Sequence, residues 1–185
     1  MKLNMCGTLV FACLLAGINA FGAEDTFLQE YARTRGFSHG RPVKAKVLPG
    51  GDKVLFLRGG PRDAKYALFE YDAGSGQTRE LLNSAMLLKG GEEKLSAEEK
   101  ARRERQRQTG AGFTQYHLDP KAQNILLGLS GKLYLVRLKD LQVRTLNTGK
   151  GILTDPKFSP DGKKIAYVLN HDIAVYDLER DVESM

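Results

Sequence analysis

The chain has 185 residues, enough for one domain, and its 28 basic against 22 acidic residues leave a net charge of +6. With 27% of residues charged, that surplus marks a soluble surface rather than a nucleic-acid binder. The 2 cysteines, Cys6 and Cys13, both fall in a leader-like stretch, which excludes a disulfide-stapled fold and a cysteine metal site from the mature chain.

Residues 1–23 read as a secretory signal peptide. Lys2 supplies a positive start, Leu9 to Ile18 form an apolar run, and small residues follow at Ala20 and Ala23. The run is too short for a membrane span. Cleavage fits after either alanine, and loss of Lys2 takes the net charge from +6 to +5. A lipid anchor on Cys13 meets Phe11 where a small residue is wanted. The mature protein is therefore expected to be exported, periplasmic or secreted, with no membrane contact after cleavage. Residues 24–42 form an N-terminal segment.

From Val43 onward one short pattern recurs: an apolar residue, a spacer, Pro, a turn, then an apolar run. It reads VLPGGDKVLFL from Val47, HLDPKAQNILL from His117 and FSPDGKKIAYV from Phe158. Strands are expected at Val43–Leu48, Lys53–Arg58, Lys65–Asp72 and Gln77–Leu82. A second set is expected at Phe113–Leu118, Asn124–Leu129, Lys132–Leu138 and Gln142–Leu146, and a third at Thr154–Phe158, Lys163–Leu169 and Asp172–Leu178. Several are apolar almost throughout, the mark of strands buried on both faces. Gaps such as Ser130-Gly131 and Asn170-His171 are too short for parallel crossovers, so the strands must pair as antiparallel hairpins. The fold class is all-β. The architecture is a partial β-propeller over residues 43–185, with two four-stranded blades and a third expected to stop before its fourth strand.

Pro120 and Pro160 lie 40 residues apart, whereas Pro49 and Pro120 lie 71 apart. The surplus is a charged helix at about residues 92–109, opened by a Ser96/Glu99 capping box, with Glu98 and Glu99 facing Arg102 and Arg103. Its only apolar residues are Ala97 and Ala101, so it has no face to bury. The stretch before it is expected to be a loop that packs through Met86, Leu87 and Leu88.

The order YARTRGF, GRP, VLFLRGGPRD, LFEYD, LLKGGEEKLSAEEKARRERQRQ, FSPDGKKIAYV, DIAVYDL resembles the start of bacterial dipeptidyl peptidase IV-like serine peptidases of the prolyl oligopeptidase type, from about Thr26 to Leu178. The charged helix between the first two blades is the more telling part, because SPDGKKIAYV is shared by many propellers. The resemblance implies an N-terminal propeller that caps a C-terminal α/β-hydrolase domain. That domain carries a Ser-Asp-His triad and releases dipeptides from the N-termini of peptide substrates, and a glutamate pair beyond the third blade grips their free amine. None of those residues carries over. Gly128-Leu129-Ser130-Gly131 and Gly74-Ser75-Gly76 are hairpin turns rather than nucleophile elbows. Glu92-Glu93 and Glu98-Glu99 precede the second blade, the wrong place for the amine-binding pair.

The remaining candidates read as structural. His39, His117 and His171 lack any metal-ligand spacing, and surface or turn positions suit them better. Arg102, Arg103, Arg105 and Arg107 are interleaved with acids and lack stacking aromatics, which favours a solvated, ion-paired helix over a nucleic-acid site. Docking of that helix by charge on a partner domain is the intermediate reading. Tyr71-Asp72 and Tyr176-Asp177 close equivalent strands, each expected to be a packed ring with a turn-forming carboxylate. No catalytic, cofactor-binding or metal-binding residue is assigned, and no cofactor or nucleic-acid partner is expected.

An open arc of blades leaves wide apolar faces wet, at a cost of about 10 kcal/mol for several hundred Å2, comparable to the stability of a whole domain. Two functional readings follow. One is the propeller region of a serine peptidase, ending before the catalytic domain and not an enzyme by itself. The other is an exported binding or scaffolding module that completes its ring by self-association.

Overall fold

A computed structural model describes residues 22–95, 97–105 and 110–185, with backbone alone for residues 22–25, 98 and 102. Cys6, Cys13, Ala20, Ser96 and Arg107, with the expectations that rest on them, lie outside the described residues. The residues divide into one unit up to Ser38 and a second from His39 to Met185.

In the first unit, helix α1 (Gly22–Arg33) ends where the Thr34 hydroxyl donates to the Glu30 carbonyl at 2.6 Å and accepts from the Phe37 amide at 3.0 Å. Phe27, Tyr31 and Phe37 form an aromatic cluster with centroids 5.7 to 6.2 Å apart, and all three rings remain about half exposed.

The second unit contains three antiparallel meanders. The first is β1 (Val43–Val47), β2 (Lys53–Arg58), β3 (Lys65–Asp72) and β4 (Gln77–Leu82), paired in that order. Two short helices follow, α2 (Ser84–Leu87) and α3 (Ala97–Arg105), and then β5 (Ala111–Gly112), which runs parallel to β3. The second meander is β6 (Tyr116–Leu118), β7 (Asn124–Leu129), β8 (Lys132–Arg137) and β9 (Val143–Thr145). The third is β10 (Leu153–Phe158), β11 (Lys164–Leu169), β12 (Asp172–Asp177) and β13 (Val182–Ser184).

The repeated sequence pattern folds as one repeated turn. Two residues past each proline, Gly51, Ala122 and Gly162 take φ values of 77°, 51° and 73°. Their amides donate to the carbonyls of Leu48, Asp119 and Ser159 at 2.9 to 3.0 Å. Glycine adopts that left-handed conformation without strain, and Ala122 does not. The repetition extends into the strands: β1 and β10 both carry a bulge, with Lys44 at φ 57° and Asp155 at φ 49° five residues before the prolines.

The sheets stack face to face through two apolar layers. Leu55, Leu57 and Leu68 of the first sheet meet Tyr116, Ile125, Leu127 and Val136 of the second. From the other face of the second sheet, Leu126 and Leu133 meet Ile165, Tyr167, Ala174 and Tyr176 of the third. The second sheet is thus covered on both sides, as the continuous apolar strand NILLGL requires. The outer faces of the flanking sheets stay open. Ile173 and Val182 are 72% and 57% exposed on one, and Val47 is 64% exposed on the other. Buried Glu70 is neutralised by Arg79 at 2.9 Å and Lys53 at 3.4 Å.

Two expectations are corrected. The third blade has its fourth strand: β13 pairs with β12 from Val175↔Ser184 to Asp177↔Val182, inside the terminal LERDVESM. Three residues with a single apolar side chain carry no alternating pattern, so backbone pairing alone reveals it. The segment before α3 is also more ordered than a loop. Asn83 caps α2 by accepting from the Met86 amide at 3.0 Å. Leu87 is buried and Leu88 half-buried, but Met86 is exposed.

Candidate functional site

Residues 92–95, expected to open the inserted helix, are not helical; the described helix runs Ala97–Arg105, and its charges are not all solvated. Arg103 is buried, donating from Nε to Glu99 at 2.9 Å and from Nη2 to Glu93 at 2.8 Å. A third bond runs from Nη1 to the Gly110 carbonyl at 3.3 Å, and Glu93 also accepts from the Gly112 amide at 2.8 Å. The helix is therefore fastened by a buried ion triad to β5, and through β5 to the first sheet. An apolar pattern misses this anchor; the signal in the sequence is Glu99 one helical turn before Arg103, with Glu93 ten residues before it. Arg105, Glu92 and Lys100 are exposed.

Where α3 meets the second and third sheets, a groove of about 340 Å3 opens. Its walls include Lys94 before the helix, Thr114 and Gln115 leading into β6, the β7–β8 turn at Ser130-Gly131, Lys132, and Lys150 and Thr154 at the start of the third sheet. Ser130 at φ 51° and Gly131 at φ 71° form the tight hairpin turn expected of them. The Ser130 hydroxyl accepts from the Lys94 amide at 3.1 Å, which ties the segment before α3 to that turn.

The histidines are not brought together. His171 sits in the β11–β12 turn at φ 79°, exposed. The Nδ1 of His39 is buried without a hydrogen-bond partner. His117 departs from the surface or turn position expected of it. It lies on β6, its Nε2 buried and unpartnered, three residues before Pro120. Lys46 and Lys157 occupy the same repeat position on β1 and β10, so three first strands present a basic side chain in matching register. Burial, then the Lys46 ammonium, pushes the His117 imidazole below its ordinary value; Lys157 and Lys44 act in the same sense and Asp155 opposes them. Lys46 also lies 5.1 Å over the Tyr116 ring, and the Tyr116 hydroxyl shares its one proton between the carbonyls of Lys44 and Leu55, each at 2.9 Å. That burial pushes the phenol well above its usual range.

Of the two Tyr-Asp pairs, both carboxylates behave as expected. Asp72 accepts from the Ser75 amide at 2.8 Å, and Asp177 from the Arg180 amide at 2.9 Å. The rings differ: Tyr176 is buried, whereas Tyr71 is 37% exposed. Tyr71 pairs with Val54 on the outer face of the first sheet, where no neighbouring sheet covers it. Among the described residues there is no cluster of three or more His, Cys, Asp or Glu side chains, and no helix long and apolar enough to cross a membrane.

Three stacked four-stranded meanders, joined last strand to first, define an incomplete β-propeller. Residues 119–185, from just before β7 to β13, match the family of the dipeptidyl peptidase IV (DPP IV) N-terminal region. The chain is also similar to a protein described as a tricorn-like protease N-terminal subunit from Sulfurisphaera tokodaii, with 36% identity over 56 residues, 29% of each chain. Among solved structures it is similar to TolB from Acinetobacter baumannii, at 15% identity and TM-score 0.49, over 80% of this chain and 32% of that one. It is similar also to the tricorn protease, at 19% identity and TM-score 0.46, over 77% of this chain and 13% of that one. The chain spans less than a third of the length of each of these relatives.

Proposed function

We propose that this chain forms the first blades of a propeller that, in a DPP IV-like serine peptidase, covers an α/β-hydrolase domain and admits peptides whose N-terminal dipeptides are released there. In this reading the chain is exported and performs no catalysis by itself. The observation that carries it is the family match over residues 119–185, coincident with the β7–β13 meanders. Reading the coding sequence past the codon for Met185 tests it. Further blades and a G-x-S-x-G elbow are expected, and their absence overturns the reading. Incubating the full chain with a glycyl-prolyl chromogenic substrate tests the second half, and turnover by this chain contradicts it.

A second reading is favoured by the open outer faces that expose Ile173, Val182 and Val47. An exported binding or scaffolding module would cover them by pairing with copies of itself into a ring. Sedimentation of the mature protein distinguishes the two: a ring of defined stoichiometry supports self-association, and a monomer at high concentration rejects it.

A further inference from the structure

The groove beside α3 combines three features that no element of the propeller itself requires. First, Lys94, Lys132 and Lys150 reach its rim from three separate elements, and all three are exposed. Among the described residues none of them has a carboxylate at ion-pair distance. The acid on the groove wall, Glu99, holds Arg103, as does Glu93 beside it. Second, the walls offer side-chain donors that the fold leaves unused. Thr114, Gln115 and Thr154 make no side-chain hydrogen bond among the described residues. The Ser130 hydroxyl spends an acceptor position on Lys94 and keeps its own proton free to donate. Third, the volume of about 340 Å3 lies at the lower end of the 300–1,000 Å3 typical of ligand pockets, room for a few residues of an extended chain rather than for a folded domain.

We propose that this groove is a binding site for carboxylate groups, with Lys94, Lys132 and Lys150 as the charged contacts and Thr114, Gln115, Thr154 and Ser130 as hydrogen-bond donors, and that its ligand is an acidic peptide segment. Unpaired ammonium groups around a concave, donor-rich wall attract carboxylates through charge-assisted hydrogen bonds. Their spacing over three elements suits several carboxylates in a row better than one. The Arg103 triad has a positioning part: it holds the segment carrying Lys94 against the β7–β8 turn. The site is independent of the peptidase reading, since it requires binding and no turnover.

Fluorescence anisotropy of the full chain with a fluorescein-labelled tri-glutamate peptide tests it, with a tri-lysine peptide alongside and citrate as a competitor. The expected result is tri-glutamate binding that weakens with salt, no tri-lysine binding, and a loss of about tenfold in each of the K94A, K132A and K150A variants. Displacement by citrate only at far higher concentration than tri-glutamate assigns the site to a peptide. Displacement at equal concentration assigns it to a free polycarboxylate and overturns the peptide half. Binding that is unchanged in the K94A/K132A/K150A variant, or equal for tri-lysine, overturns the whole. These lysines are exposed, and near-ultraviolet circular dichroism checks that the variants keep their tyrosines packed. Should a variant not fold, backbone amide shifts of Ser130, Gly131 and Thr154 in the unaltered protein decide the matter, since ligand that leaves them unmoved excludes this groove.

Discussion

Among individual residues, the repeated proline turn sets a local test. Gly51 and Gly162 occupy the left-handed position without cost, and Ala122 occupies it with a Cβ. Relief of that strain, less the extra backbone entropy of glycine, should make Ala122→Gly more stable by about 0.5 kcal/mol in urea unfolding. His117 gives a pH dependence with a definite sign. Its folded-state value lies below the ordinary 6.5, because burial and the neighbouring Lys46, Lys157 and Lys44 outweigh Asp155. The stability it contributes is therefore full above pH 6.5 and is lost as pH falls from there through the lowered value. Unfolding midpoints measured between pH 7.5 and pH 5 should show that loss, and His117→Gln should remove part of it. Neither feature is visible to composition: the alanine is legible only against its two glycine counterparts, and the imidazole only once three first strands lie side by side.

For single elements, the inserted segment from Glu92 to Phe113 holds the most information that sequence patterns missed. Its helix has no apolar face, which points to solvation, yet one arginine is buried between two glutamates. Removing that arginine leaves two carboxylates facing each other out of water. Arg103→Ala should cost about 3 kcal/mol or more in urea unfolding, and replacing all three charges together should recover much of it. The short strand β5 is equally demanding. Gly112 has φ 75°, and a Cβ there would sit 2.4 Å from the Tyr66 carbonyl oxygen. Gly112→Ala should destabilise by about 2 kcal/mol or more, with faster amide exchange at Ala111 and Phe113 as the local signature. By contrast, β2, β3, β4 and β7 coincide with their expected boundaries. β2 and β7 are apolar runs bounded by turn residues, and β3 and β4 are fixed by the hairpin turn at Asp72 to Gly76 between them. The weak strands β5, β9 and β13 carry little hydrophobic signal, so their pairing depends on neighbours that a linear reading does not place.

Over the whole molecule, the fold class was legible because one unit is used repeatedly, while the groove was not. Its residues come from positions 94–95, 99, 103, 114–115, 128–132, 150–154 and 156, which share no motif and are brought together only by the packing of α3 and two sheets. The open faces carry the remaining prediction. Ile173 is 72% exposed on the outer face of the third sheet, so Ile173→Lys should leave the unfolding midpoint within about 0.5 kcal/mol of its original value. If copies associate through that face, the same substitution should shift sedimentation toward the monomer.

The middle sheet is the one sandwiched between two others, with Leu126, Leu127 and Leu133 wholly shielded from water. During synthesis, the first meander emerges from the ribosome with its leucine layer facing nothing, because the residues that cover it, Phe113 to Val136, are translated only after the charged helix. That helix is thus the pause between a naked sheet and its lid. A nascent chain halted there should be the species that chaperones hold longest and proteases cut first.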